Sequence, residues 1–131
     1  MNDSTPGSTK KLMQPEAVKA MVLTVLEDIK ANDVVVLDVS LYASFTDYMV
    51  FASGTSRRHV NSIAGSVTDA AKKQNFPALG VEGLDVGDWV LVDLSDVVVH
   101  VMLPAIREYY ELEKLWGEEM ADLDLSEDIG D

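Results

Sequence analysis

A chain of 131 residues, 47 % of them apolar, can bury one core but not two, and its composition is that of a globular rather than a disordered protein. It has no cysteine and only two histidines, His59 and His100, which excludes a disulfide frame, a cysteine nucleophile, a thiolate metal site and a histidine-rich metal centre. Ten basic residues against 23 acidic give a net charge of −13, which repels phosphate backbones and anionic membranes.

Residues 1–14 are rich in Ser, Thr, Gly and Pro and read as a flexible tail. They lack the apolar stretch of a signal peptide, and no apolar run is long enough to span a bilayer, so a cytoplasmic protein is expected. A single domain is predicted over residues 15–117. Pro15 suits a first helical turn, and Val18, Met21, Val22, Val25, Leu26 and Ile29 carry helical spacing through residue 31. "VVVLDV" (34–39) and "DYMVFAS" (47–53) read as strands. "GTS" (54–56) ends the second strand, and Val60, Ile63, Ala64, Val67 and Ala71 then mark a helix ending near Asn75. Residues 76–87 form a loop with one short strand, and residues 88–103 a hairpin. A helix from Pro104 to Trp116, stopped by Gly117, closes the domain. The expected fold is α/β (α+β), with a mixed sheet of about five strands flanked by helices. Residues 118–131 hold seven of the acids and no base, leaving the remainder at −6, and read as an acidic flexible tail.

With Ser95 and Asp96 as a two-residue turn, Leu91 faces His100 and Trp89 faces Met102. Alternation then puts Val90, Val92, Leu94, Val97, Val99, Val101 and Leu103 on one aliphatic face, a core face. The other face is mixed: Trp89, Leu91, Asp93, Val98, His100 and Met102. Three readings compete for it. Asp93 and His100 pair beneath a covering helix, the face stays partly open and binds a partner, or the two form a base and its orienter. The last lacks a nucleophile on this face. Ser-Asp also lacks the glycine usual in such turns, which leaves a one-residue slip as the competing register.

"SGTSRRH" lies between a strand and a helix, where free N–H groups attract anions, so Thr55, Ser56, Arg57 and Arg58 are either an anion-binding turn or a helix cap. Nucleotidyltransferases follow a Gly-Ser at this point with a magnesium-binding Asp-x-Asp. Here that helix carries only Asp69, and the one Asp-x-Asp, Asp122 to Asp124, lies in the acidic tail. No metal ligand and no cofactor are therefore assigned. In the last helix Ile106, Tyr109, Tyr110, Leu112, Leu115 and Trp116 form a broad apolar stripe beside Glu108, Glu111 and Glu113, suited to core packing or to an interface.

Taken in order, "LDVS", "TDYMVFASGTSRRHVNSIA", "LGVEG", "DWVLVDLSDVVVHVM" and "REYYELEKLWG" closely resemble the ribosomal silencing factor (iojap-like) family over roughly residues 16–117. The family's motif positions match at Thr46 to Tyr48, at Gly54 to Ser56 with Arg58 and His59, and at Trp89, Asp93, Val99 and His100. They match again at Tyr110, Leu112, Glu113, Leu115 and Trp116. Two positions depart: Ser95 replaces the usual glycine, and Pro104 stands where an acid is common. The resemblance implies a nucleotidyltransferase-like fold without the catalytic metal site, and a translation regulator rather than an enzyme. It implies binding to the large ribosomal subunit through its basic fourteenth protein, blocking the small subunit and repressing translation under nutrient limitation.

On that reading the partner-binding residues are Trp89, Leu91, Asp93, His100, Met102, Tyr110, Glu113 and Trp116, with Trp89 the apolar anchor and carboxylates meeting Lys or Arg. No DNA or membrane contact and little direct RNA contact are expected. Two alternatives stand beside it: a nucleotide-binding or nucleotidyl-transferring enzyme using Gly54, Thr55 and Ser56, and a homodimer that hides the mixed face on itself.

Overall fold

A computed structural model describes residues 14–120. Helix α1 (Pro15–Asp28) is followed by β1 (Asn32–Asp38) and β2 (Tyr48–Ser53). Helix α2 (Arg57–Lys73) leads to β3 (Gly80–Glu82), then to the hairpin β4 (Trp89–Asp93) and β5 (Val97–Met102), and finally to α3 (Pro104–Tyr110). The five strands form one mixed sheet in the order β1-β2-β5-β4-β3, in which only the β2–β5 pair is parallel. The tail assigned to residues 1–14, save Gln14, and residues 121–131 of the acidic tail lie outside the described residues.

Burial explains the strand sequences. β5 is buried at all six positions and β2 at five of six, so both read as continuous apolar runs. In β4 burial alternates, with Val90 and Val92 inside and Trp89, Leu91 and Asp93 half-buried on the other face. Helices α1 and α2 cover the aliphatic face. Val18, Val22 and Leu26 of α1 meet Val60, Ile63, Ala64 and Val67 of α2 over Val50, Val90, Val92, Val99 and Val101. Both helices end alike: Lys30 (φ 61°) and Asn75 (φ 60°) turn left-handed, and Ala31 and Phe76 donate back to Leu26 and Ala71 at 2.9 Å.

The hairpin has the register that pairs Trp89 with Met102 and Leu91 with His100. Ser95 takes the left-handed conformation (φ 73°) that glycine usually supplies, while its N–H is held by Asp93 Oδ1 at 2.8 Å. The two-residue turn therefore closes, with Leu94 N–H donating to the Val97 carbonyl at 2.9 Å.

The last helix differs from expectation. It does not run to Trp116. It stops at Tyr110, where Glu111 turns left-handed (φ 51°), and continues as a short helical turn Leu112–Lys114 and a π-helical turn Leu115–Glu119. Gly117 sits inside that last turn rather than stopping the helix. The break is held from outside the helix. Arg107 forks onto Glu113 across it and reaches Ser53 Oγ at 2.9 Å, and Tyr42 Oη donates to the Trp116 carbonyl at 2.6 Å. The redirected chain lays Leu112 and Trp116 onto the second small core of Val39, Met49 and Phe51.

Gly83 has φ 97°, and a Cβ there would lie 2.1 Å from the Trp89 carbonyl oxygen. Gly83→Ala is expected to cost at least about 2 kcal/mol in urea unfolding, from backbone strain and overpacking together. Gly80→Ala, where a Cβ meets nothing within 4 Å, is the control and should unfold close to wild type.

Candidate partner-binding face

The sheet face turned away from α1 and α2 is only partly covered. The redirected C-terminal segment and the 39–47 loop close it over β1 and β2, where Trp116 stacks with Tyr42 (6.3 Å between centroids) and meets Phe45 edge-on (5.7 Å). Over β4 the face stays half-open.

An aromatic row runs from the inside to that opening. Phe51 stacks on His100 (5.0 Å, 9° between planes), His100 touches Trp89 (6.1 Å), Trp89 meets Tyr110 (5.1 Å), and Tyr110 meets Tyr109 (5.0 Å, 87°). Exposure rises along it, from buried Phe51 and His100 (6 %) to Tyr110 (51 %) and Tyr109 (79 %). Strand pairing accounts for the inner half, because Phe51 and His100 are register partners across β2 and β5. Helix α3 then brings its tyrosines over Trp89.

Two of the three readings of Asp93 and His100 fail on geometry. Asp93 is bound to the Ser95 N–H and forms no pair with His100, so neither the buried pair nor the base-and-orienter arrangement is made. The partner of His100 is Trp89, whose Nε1–H donates to His100 Nδ1 at 3.1 Å. Burial pushes the His100 pKa down from 6.5 to about 4, so the ring is neutral at pH 7.

The other expected contact residues separate. Trp89, Leu91 and Asp93 are half-buried at the opening, and Tyr110 stands beside Trp89. Met102 is buried with His100 and supports the face from within. Trp116 belongs to the Tyr42 cluster instead, and Glu113 turns to Arg107. Next to α3 a cleft of about 250 Å³ is lined by Asp33, Arg107, Glu108, Glu111, Glu113 and Lys114, four acids against two bases. Among the described residues no three His, Cys, Asp or Glu side chains converge as a metal would require, and no helix is long and apolar enough to cross a membrane.

The model of the family described as "Ribosomal silencing factor during starvation" matches residues 12–130. The chain belongs to the ribosomal silencing factor family. The ribosomal silencing factor of Chromobacterium violaceum is 45 % identical over 105 residues, covering 80 % of this chain and 86 % of that protein. Mouse "Mitochondrial assembly of ribosomal large subunit protein 1" is 39 % identical over 99 residues, 73 % of this chain and 43 % of that longer protein. A crystal structure of a C. violaceum protein, 44 % identical, superimposes with a TM-score of 0.79 over 81 % of this chain and 89 % of that one.

Several positions matched to the silencing factor motifs hold the fold together. Buried Thr46 donates to the Tyr48 carbonyl at 3.2 Å. Ser56 is the N-cap of α2, its Oγ accepting from His59 N–H at 3.0 Å. Thr55 N–H donates to His59 Nδ1 at 2.9 Å, which places the ring proton on Nε2, directed at the Ile29 carbonyl at 3.1 Å. The N–H groups of Thr55 and His59 are thus already satisfied, and the turn has the geometry of a cap. Arg57 and Arg58 are exposed beside it.

Sequence reasoning did not assign Arg107, Tyr109, Tyr42 or Phe45 to this region. Tyr109 was legible as part of the apolar stripe, but Arg107 and Glu113 meet at a spacing of six that no helix period signals.

Because the His100 pKa lies below its unfolded value, the unfolded chain takes up the proton first. The stability tied to the neutral ring is present above pH 6.5 and declines as pH falls toward 4, by on the order of 3 kcal/mol in full. Urea unfolding of wild type is expected to weaken between about pH 6.5 and about pH 5, and His100→Gln should lose the part of that slope due to this ring.

Proposed function

We propose that this chain is a non-enzymatic ribosomal silencing factor. It docks on the large ribosomal subunit through the basic fourteenth protein of that subunit, blocks joining of the small subunit, and so represses translation in the cytoplasm when nutrients are limiting. The carrying observation is the half-open row Trp89–Tyr110–Tyr109, whose two tyrosines are flanked in the chain by Glu108 and Glu111, in a member of this family. Half-exposed aromatic rings held rigid by packing are what protein interfaces use as anchors. Carboxylates around them suit lysine and arginine, and a net charge of −13 disfavours direct binding to RNA phosphates. The mouse relative carries ribosomal large subunit assembly in its name, which favours the same subunit here.

In this reading Trp89 is the anchor, Leu91 and the tyrosines widen the apolar contact, and Asp93, Glu108 and Glu111 form its acidic rim. His100 and Met102 hold the anchor from beneath. Glu113 and Trp116 fix the course of the segment that carries the tyrosines.

The test is co-sedimentation with isolated large subunits at physiological salt. Wild type should pellet with them and release as salt rises, while Trp89→Ala should bind at least about 30-fold more weakly, as expected for a hot-spot side chain. A folded Trp89→Ala that binds like wild type would move the contact off this face. A wild type that stays in the supernatant would overturn the function.

A further inference from the structure

The Trp89–His100 contact fixes more than a position. An indole N–H can only donate, so His100 Nδ1 must accept and carries no proton. In the neutral ring the single proton then sits on Nε2. Protonation of Nδ1 would set two N–H groups against each other across 3.1 Å. Phe51 stacks parallel to the imidazole at 5.0 Å and packs against its plane.

The Nε2–H so produced has no hydrogen-bond partner among the described residues. Nor is it sealed in. The one fully enclosed side-chain polar atom without a partner among those residues is Asn61 Oδ1, and His100 keeps 6 % of its surface. This donor belongs to a ring on the mixed face, opposite Leu91 and bonded to Trp89, where the aromatic row goes from buried to exposed. Among the described residues no ion pair or hydrogen bond joins it to a charged group. The ring's aromatic neighbours are Phe51 and Trp89, and the nearby carboxylate, Asp93, is turned to Ser95.

We propose that His100 is a specificity residue of this face, its Nε2–H donating to an uncharged oxygen, a backbone carbonyl, of the docked protein, with Trp89 as the residue that sets the tautomer. The inference rests on the docking reading above and names the chemistry that its partner must present. A neutral donor in an apolar floor favours a neutral acceptor; a carboxylate or phosphate in its place would draw a second proton onto the ring. A partner that fails to supply the acceptor leaves a desolvated N–H unpaired, which penalises wrong partners more than it strengthens the right one.

Two measurements test it. Long-range proton–nitrogen NMR of the free, labelled protein should show unprotonated Nδ1 and protonated Nε2 on His100. The opposite tautomer, or a mixture of the two, overturns the proposal without any variant. Co-sedimentation with large subunits then compares wild type with His100→Leu, which has no donor, and His100→Gln, whose amide can place one near Nε2. Each variant is first checked for a wild-type fold by its amide spectrum. His100→Leu should bind about tenfold more weakly and His100→Gln within about threefold of wild type. If folded His100→Leu binds like wild type, the donor is not used and this inference alone falls. If wild-type affinity climbs about tenfold from about pH 7.5 to about pH 6 while that of His100→Gln does not, the acceptor is an anion and the proposal falls as well. If wild type does not bind at all while Trp89 and His100 are intact, the docking reading fails, and this one with it.

Discussion

Everything on the mixed sheet face depends on one turn. Ser95 accepts a left-handed backbone, held by Asp93 Oδ1 on its N–H, and this keeps the β4–β5 hairpin to a two-residue turn. A slip of one residue would exchange the faces of β4 relative to β5 and break the opposition of Leu91 to His100. In the observed register the aliphatic residues of both strands close onto α1 and α2, and the six remaining side chains stand together on the other side. Asp93 therefore has a structural task, and its carboxylate is oriented along the turn before any partner arrives. The Asp96 carbonyl, from the same turn, accepts from both Asp47 and Tyr48 N–H at 3.0 Å, which carries the register on to the start of β2.

A second constraint decides how much of that face is left open. A continuous helix from Pro104 would run on in one direction and could not also cover β1 and β2. The left-handed Glu111 bends it back, and the Arg107 fork to Glu113 and Ser53 holds the bend. Strain at one non-glycine residue is offset by a partly buried, charge-assisted hydrogen-bond set and by the packing of Leu112 and Trp116. As a result Met49 and Phe51 are buried while Trp89 is left half-open, with Tyr109 and Tyr110 displayed on the short helix just before the bend.

The parts legible in sequence were those set by local periodicity. The buried stripe of α2 is the predicted one, Val60, Ile63, Ala64, Val67 and Ala71, and the hairpin has the register that a two-residue turn at Ser95 and Asp96 predicts. The broken last helix was not legible, because what breaks it is a contact between Arg107 and residues of a distant strand and of the next turn. Helical spacing of Tyr109, Leu112 and Trp116 continued smoothly through Glu111, and nothing local marks a non-glycine residue for a left-handed turn. Of the site, the mixed face was legible and its internal pairing was not. On diagonal position Asp93 and Trp89 were equal partners for His100, and the choice fell to the turn, which had already taken the aspartate.

In the proposed docking the face combines two kinds of recognition that act at different distances. The carboxylates of an acidic chain attract a basic surface from about a Debye length away and lose that pull in salt, but they discriminate poorly among basic surfaces. Discrimination needs short-range groups that are costly to leave unmatched. The aromatic row supplies shape, with its inner rings fixed by the strand register and its outer rings by the bend after Tyr110. In the same proposal the neutral ring of His100 supplies a direction, because Trp89 assigns its proton to Nε2. A charged histidine at the same place would add to long-range electrostatics and oppose the attraction of a basic partner. By keeping the ring uncharged, burial would leave the long-range field to the rim acids and, on this proposal, the short-range choice to a single N–H.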